Sequence, residues 1–449
     1  MNTEIDQESN ILTHMRADHE ALQSVLASMS EAYFPPVAIK SLKRFSTVQA
    51  ASWVGVSRAH FNNHADELGL APELVGKSKQ RFYTLSDINA VRHHLSQKTT
   101  NIDKARFYDP RRRDDEELAV LSCVNFKGGS AKSTTAVHFA QYLALKGYRV
   151  LLADLDPQGS TSGMMGIIPE RVTHDQSLYA AIRYDNPLPM SEVAQKTYIE
   201  NLDIVPSGLW VADWEFDAPR VTTSTMEEER ELRLRLAELE NNLATGNLPR
   251  AEFERLSQEV DGLRIKMRGM SLQRLYFLRL QAALIDIQDN YDVVVCDTAP
   301  NLGYLSNAAI GASNHLLLTI QPQMLDCESM AQYLMTSITH QEQYEAAVRR
   351  ALGPEYITDK TLHYLITRFN TASTPQNDVT KILRGYLKNV LDHSMVNTTA
   401  VEEARTRQLT LYESDRSQFN PKTYDRAIES MNQANAEIEK IILRGWGRL

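Results

Sequence analysis

Lys127 to Thr135 reads KGGSAKSTT, a stretch with the residue types needed to hold a phosphate. In the general loop pattern, G-x-x-x-x-G-K-[ST], backbone amides cradle phosphates, the lysine reaches the outer ones and the hydroxyl takes Mg²⁺. Lys132 and Ser133 fit that pattern, but Phe126 and Ala131 stand where its glycines belong. Gly128 and Gly129 allow close backbone approach, with Ser130 between them and Ala131. If position 131 needs a positive φ, alanine costs on the order of 1 kcal/mol there. Two further segments bring acids: DLDPQGS supplies Asp154 and Asp156, and DTAPNLG supplies Asp297. Mg²⁺ takes hard oxygen ligands, commonly a loop hydroxyl, waters and an acid at a strand end, and Asp297 suits that last place.

These groups meet only if the right elements carry them. Apolar runs at 118–125, 149–153, 202–205, 292–296, 315–320 and 362–367 are continuous rather than alternating. Such runs suit strands covered on both faces, hence a parallel sheet in an α/β domain. The glycine loop leaves the first run and opens a helix with Ala136, Phe139, Ala140 and Leu143 on one face. A strand, a glycine turn and a helix N-terminus make a nest of amide donors for phosphate. Asp154, Asp156 and Asp297 follow later strands, and ligands of open α/β sheets bind at the carboxyl ends of strands. The predicted domain is 118–449, interrupted at 226–268 by a helical hairpin. Leu232, Leu236, Leu239 and Leu243 make one stripe of it, and Phe253, Leu256, Val260, Leu263 and Met267 the other. The stripes would pack on each other or serve an oligomer contact.

Ahead of this domain, Ile11, Leu12, Met15, Leu22, Val25, Leu26 and Met29 lie at helical spacing within 1–35. Residues 36–100 carry the turn and cap signals of a winged helix-turn-helix: Ser46 or Thr47 opens a helix, Gly55 turns, Ser57 caps a second helix and Gly69 ends it. A basic hairpin, GKSKQRFYTL, and another helix follow, then a basic linker at 101–117. From Pro36 to Arg113 there are 14 Lys and Arg against 6 Asp and Glu, in a chain whose formal charge is −9. A basic module on an acidic body suggests one part that meets a polyanion. Ser57, Arg58, His60, Asn62 and Asn63 would face a DNA major groove, and Lys77, Lys79 and Arg81 the phosphates. In the larger domain Lys381, Arg384 and Lys388 are expected on one helix, as a solvated face or a non-specific DNA contact. Cys123, Cys296 and Cys327 form no C-x-x-C pair and so give neither a cysteine zinc motif nor a disulfide framework. The start, MNTEIDQESN, is unlike a signal or transit peptide, and no apolar run approaches the length of a membrane span. A cytoplasmic protein is expected.

With Lys127 five positions before Lys132, KGGSAKST resembles the deviant Walker A motif, KGGxGK[ST], of the ParA/MinD family of dimeric ATPases. DLDPQGS and DVVVCDTAPNLGYL look like its switch segments, and only Ala131 departs from its glycines. Segments including FYTLSDINAVRHHL, QPQMLDCESMAQYL and NPKTYDRAIESMNQANAEIE resemble the RepA partition proteins of RepABC-type plasmids over nearly the whole chain, the hairpin aside. The resemblance implies an ATP- and Mg²⁺-dependent homodimer in which Lys127 reaches the partner subunit's phosphates. It gives Lys132 the β- and γ-phosphates, Ser133 the Mg²⁺, Thr134 a phosphate oxygen, Asp156 the attacking water and Asp297 the metal through water. Thr367 and Arg368, in LITRFN, would border adenine, and no N-K-x-D guanine motif is present. It further implies a nucleoid-associated plasmid partition ATPase that binds operator and non-specific DNA, represses its own operon, and is stimulated by a centromere-binding ParB/RepB-like protein. A nucleotide-gated repressor without turnover, a membrane-cycling ATPase of MinD type and an electron carrier like the nitrogenase iron protein stand as alternatives. The last would need cluster-binding cysteines, which Cys296 and Cys327 do not supply.

Overall fold

The computed structural model describes residues 40–245 and 249–449, with scattered helical residues between Ile11 and Val25. Two units emerge, Met1–Ser41 and Leu42–Leu449. In the first, Ile11, Met15, Leu22 and Val25 are helical and exposed. Leu12, Leu26 and Met29 lie outside the described residues.

The second unit opens with caps that act as their residue types predict. After the two-residue strand β1 (Phe45–Ser46), the Ser46 side chain accepts from the Gln49 amide while Gln49 Oε1 accepts from the Ser46 amide, which starts α1 (Thr47–Val54). Gly55, at φ 80°, ends α1 in the left-handed conformation that glycine adopts without strain. A Cβ there would lie 2.5 Å from the exposed Phe107 ring, which would have to swing aside. Ser57 then caps α2 (Arg58–Glu67), β2 (Glu73–Val75) and β3 (Gln80–Tyr83) pair antiparallel, and α3 (Leu85–Lys98) completes the module. The stretch expected to be a linker contains a helix, α4 (Ile102–Tyr108), capped by Asn101.

The apolar runs become β4 (Ala119–Val124), β5 (Val150–Leu155), β7 (Leu202–Val205), β8 (Val293–Thr298), β9 (His315–Ile320) and β10 (Thr361–Ile366). With β6 (Gln195–Lys196) they form one sheet in the order β10-β9-β4-β8-β5-β7-β6, parallel except for β6. Every residue of β4, β5 and β8 is buried, which is why their sequences do not alternate. Between β4 and β5 runs α5 (Lys132–Lys146), apolar beyond the expected single face because, besides the sheet and the C-terminal helix Pro421–Gly445, it has a second cover in the N-terminal module.

That second cover is specific. Trp53 meets Tyr142 of α5 edge to face at 5.7 Å. Buried Arg92 donates to the carbonyls of Trp53 and Leu145 at 2.9 and 3.1 Å. The burial of a charged guanidinium is compensated by these bonds, and the N-terminal module is thereby fixed to the helix that begins at the phosphate loop.

The predicted hairpin is longer than its leucine stripes suggest. It comprises α6 (Trp214–Ala244) and α7 (Arg250–Gln273), with Gly246, Asn247 and Leu248 outside the described residues. Leu239, Leu256 and Val260 bury against each other, and Arg235–Glu259, Arg264–Glu240 and Lys266–Glu228 ion pairs cross the seam. Phe253 departs from its stripe and is exposed. At the root, Trp214 is fully buried and stacks on Tyr184 with ring centroids 5.1 Å apart. Beyond the hairpin come α8 (Met324–Ala351) and the C-terminal α9 (Pro421–Gly445), whose Met431, Ile438, Ile441 and Ile442 are buried in the domain. No helix among the described residues is long and apolar enough to cross a membrane.

His138 of α5 makes stability depend on pH. Leu411 donates its amide to His138 Nε2 at 3.2 Å, so the proton sits on Nδ1, which donates to the Thr134 carbonyl at 2.7 Å. Burial pushes its pKa down from 6.5 to about 4. The unfolded chain therefore binds a proton that the folded chain refuses between those values, and stability falls as pH drops through that window. The full effect is about 3 kcal/mol, read as urea midpoints against pH. His138→Gln should remove its share of that slope and leave a comparable one from His315, which burial also lowers to about 4.

Candidate nucleotide-binding site

The loop after β4 is held from the ends of β9 and β10. Asn125 donates to the Thr319 carbonyl at 2.6 Å and accepts the Lys127 amide at 2.9 Å, tying the loop's start to the end of β9. Thr319 Oγ1 donates to Ser130 Oγ at 3.0 Å. Thr367 Oγ1 donates to the Ser130 carbonyl at 2.8 Å and an Arg368 guanidinium nitrogen to the Gly129 carbonyl at 3.0 Å. Thr367 is fully buried, and its hydroxyl fixes the loop. Arg368 likewise spends a donor on the loop.

Ala131 has φ 68° and ψ 27°, the left-handed conformation, and stands as the N-cap of α5. The position therefore does require what glycine gives, and the chain accepts the strain. Gly129 also has positive φ, 81°. Ser133 and Thr134 follow half-exposed in the first turn of α5.

Lys132 is 6% exposed and its Nζ reaches back to the Lys127 carbonyl at 3.4 Å. Burial lowers its pKa, while the charges of Asp297 and Asp156 oppose that shift. Asp154 and Asp297 are direct partners across β5 and β8. Asp154 caps the turn that follows β5, accepting the Ser162 amide and hydroxyl at 2.8 and 2.7 Å and the Asp156 amide at 3.1 Å. Burial, then the charge of Asp297, push its carboxyl upward. Asp297 is also raised by burial, against the pull of Ser133, Thr161 and Lys132. Its Oδ2 accepts from Thr161 Oγ1 at 2.8 Å, but its buried Oδ1 has no hydrogen-bond partner among the described residues. A buried carboxylate oxygen left open beside the Ser133 hydroxyl fits a hard divalent cation. Asp156 is half-buried, with its Oδ1 accepting the Gln158 amide at 3.0 Å, on the side of the site that faces Lys132.

One site residue escaped the sequence reading. Lys127 is ion-paired with Asp326, a buried acid in the first turn of α8. The acid stands in the first turn of the helix that follows β9, and that placement after a strand end was the available signal.

Of the residues assigned to DNA, Arg58, His60, Asn63, Lys77 and Lys79 are exposed, and Ser57 caps α2. Asn62 is half-buried and accepts from the Tyr83 hydroxyl at 3.3 Å, and Arg81 pairs with Asp66 at 2.7 Å. The basic balance of the module overstates its outward charge, because Lys43 and Arg92 point inward to the Ser414 and Leu145 carbonyls. Lys381 and Arg384 lie on the helix Thr374–Tyr386, but Lys388 falls beyond its end.

A parallel sheet, a lysine-bearing loop between strand and helix, and an open aspartate at the next strand's end define a P-loop nucleotide-binding protein. Residues 118–244 and 257–349 match the family described as an AAA domain. A provisionally named replication protein A of Rhizobium rhizogenes is 36% identical over 97% of this chain and 96% of its own length. SopA of Escherichia coli K12 is 27% identical over 66% of this chain and 64% of its own. A solved structure called a partition protein matches the fold with TM-score 0.52 at 18% identity, covering 92% of this chain and 99% of its own. The chain belongs to the ParA/MinD-type family of P-loop ATPases.

Proposed function

We propose that the protein is a plasmid or replicon partition ATPase that dimerises on ATP, binds operator and non-specific DNA, and hydrolyses ATP slowly until a centromere-binding ParB/RepB-like partner stimulates it. The carrying observation is the loop that bears Lys127 and Lys132, with Lys132 beside the charges of Asp297 and Asp156 from two strand ends. Lys132 and the α5 N-terminus hold phosphate charge, and Ser133 with Asp297 Oδ1 would hold Mg²⁺. The metal, when bound, neutralises charge that develops on the transferred phosphoryl group. Asp156 orients and deprotonates the attacking water. Lys127 exchanges Asp326 for the phosphates of a second subunit, a charge contact that exists only in the dimer. Arg58, His60 and Asn63 of α2 contact base edges, and Lys77 and Lys79 phosphates. Autorepression of the operon and nucleoid association follow from that DNA binding. The buried C-terminal α9 speaks against the membrane-cycling alternative.

A nucleotide-gated repressor without turnover is the second reading, favoured by the left-handed Ala131. The deciding experiment measures ATP turnover with Mg²⁺ and non-specific DNA, for the natural chain and Ala131→Gly. Slow, DNA-dependent turnover is expected in both, with Ala131→Gly about 1 kcal/mol more stable. Turnover only with glycine supports the repressor. No ATP binding in either defeats both readings.

A further inference from the structure

The C-terminal ends of α2 and α3 bring together groups for which the nucleotide site has no use. Glu67 Oε2 lies 3.0 Å from His64 Nδ1 and 3.1 Å from His94 Nε2. These ligand atoms all lie within 4.8 Å of one another. The same oxygen receives Lys98 Nζ at 2.5 Å. The His64 side chain is only 11% exposed, and its ring stands edge-on to His60 at 4.6 Å and to His94 at 5.3 Å. The cluster is therefore built into the packing of two helices rather than left on loose side chains.

Its donor set is chemically selective. Two imidazoles and one carboxylate, with a fourth position open to water, form a tetrahedral zinc set, and imidazole favours Zn²⁺, Co²⁺ or Ni²⁺ over Mg²⁺ and Ca²⁺. His64 and Glu67 sit at i and i+3, one turn apart on the same face of α2, and His94 closes the site from α3. Lys98 holds the position of positive charge against Glu67, which a divalent ion would take over. We propose that His64, Glu67 and His94 form a binding site for a borderline divalent cation, Zn²⁺ foremost, that clamps α2 to α3. The clamp fixes the helix carrying Arg58, His60 and Asn63, and the binding claim stands whether or not that helix meets DNA.

The test uses the untagged full chain, stripped with chelator and titrated with Co²⁺, whose visible d–d absorption is intense in tetrahedral sites and weak in the octahedral sites of a nucleotide loop. One tetrahedral Co²⁺ per chain, displaced by Zn²⁺, is expected. His94→Gln, at a partly exposed position that tolerates a polar side chain, should weaken binding by at least about 100-fold, beyond the loss typical of outer-shell changes. Lys98→Met removes the competing cation and should tighten it several-fold. Absence of the tetrahedral band, binding that survives His94→Gln, or binding that fails to tighten in Lys98→Met overturns the site.

Discussion

In Asp156→Ala, ATP turnover is expected to fall by about 10²- to 10⁴-fold, the range for loss of a positioned base, while nucleotide affinity changes little. The separation follows from position. Affinity rests on the loop, where Lys132, the α5 N-terminus and the carbonyl ties to Thr367 and Arg368 do not involve the Asp156 side chain. That side chain makes one local contact, to the Gln158 amide, so its removal leaves the turn held by Asp154 and by the Gly159 amide on the Asp156 carbonyl. The variant should accumulate as ATP-bound dimers by light scattering. Lys132→Ala, which removes the phosphate-facing ammonium, should bind no ATP and stay monomeric. Equal affinity and size in the two variants would sink the proposed roles together.

The two variants probe residues that were legible in the sequence, and the reason is local. A phosphate loop is a short stretch whose chemistry depends on spacing of a few residues, and buried parallel strands are continuous apolar runs. Strand ends follow from the runs, and the acids at those ends from the strands. The strain at Ala131 could be stated in advance only as a condition, which the left-handed φ of 68° fulfils. What stayed hidden depends on partners far along the chain. Asp326 meets Lys127 from 199 positions away, and Thr367 meets Ser130 from 237. No periodicity encodes such pairings. The hairpin's true start was hidden for a different reason: Pro219 and the stretch Val221–Thr225 look like helix breakers. Thr222 instead returns its hydroxyl to the Ala218 carbonyl at 2.7 Å, and the buried Trp214 anchors the first turn.

The docking of the N-terminal module has a mechanical consequence. Among its contacts are those on α5, whose other end is the phosphate loop, so one helix touches both the nucleotide loop and the α1–α3 module. A shift of α5 on ATP binding would be transmitted through Tyr142 to Trp53 and through the Leu145 carbonyl to Arg92. Two states of that element, each preferred by one ligand, would give the reciprocal coupling that a nucleotide-controlled DNA-binding protein needs.

At the end of the sheet away from the loop, Asp292→Ala is expected to cost about 1–3 kcal/mol of stability, because its partner Arg149 is partly exposed and water replaces part of what is lost. Asp292 is fully buried just ahead of β8. Its Oδ2 accepts the Arg149 amide at 2.7 Å, and its Oδ1 accepts Arg149 Nε at 3.1 Å, an Arg149 terminal nitrogen at 2.6 Å and the Arg112 amide at 3.1 Å. One carboxylate thus ties the entries of β5 and β8 to the segment leading into β4. Removing it strands two backbone amides and a guanidinium, and each buried donor left unsatisfied costs about 1–3 kcal/mol. Arg149→Ala should also be damaging, because it leaves the buried carboxylate with two backbone amides and no cation. Since Asp292 lies at the strand entries and nucleotide chemistry at the strand exits, ATP affinity of the folded fraction should be unchanged. Urea denaturation of both variants beside an ATP titration separates the two effects. A loss of affinity at full folding would mean that the sheet relays strain along β8 to Asp297, and a stability change below about 1 kcal/mol, the scale of one ordinary hydrogen bond, would mean that the network is replaced by water.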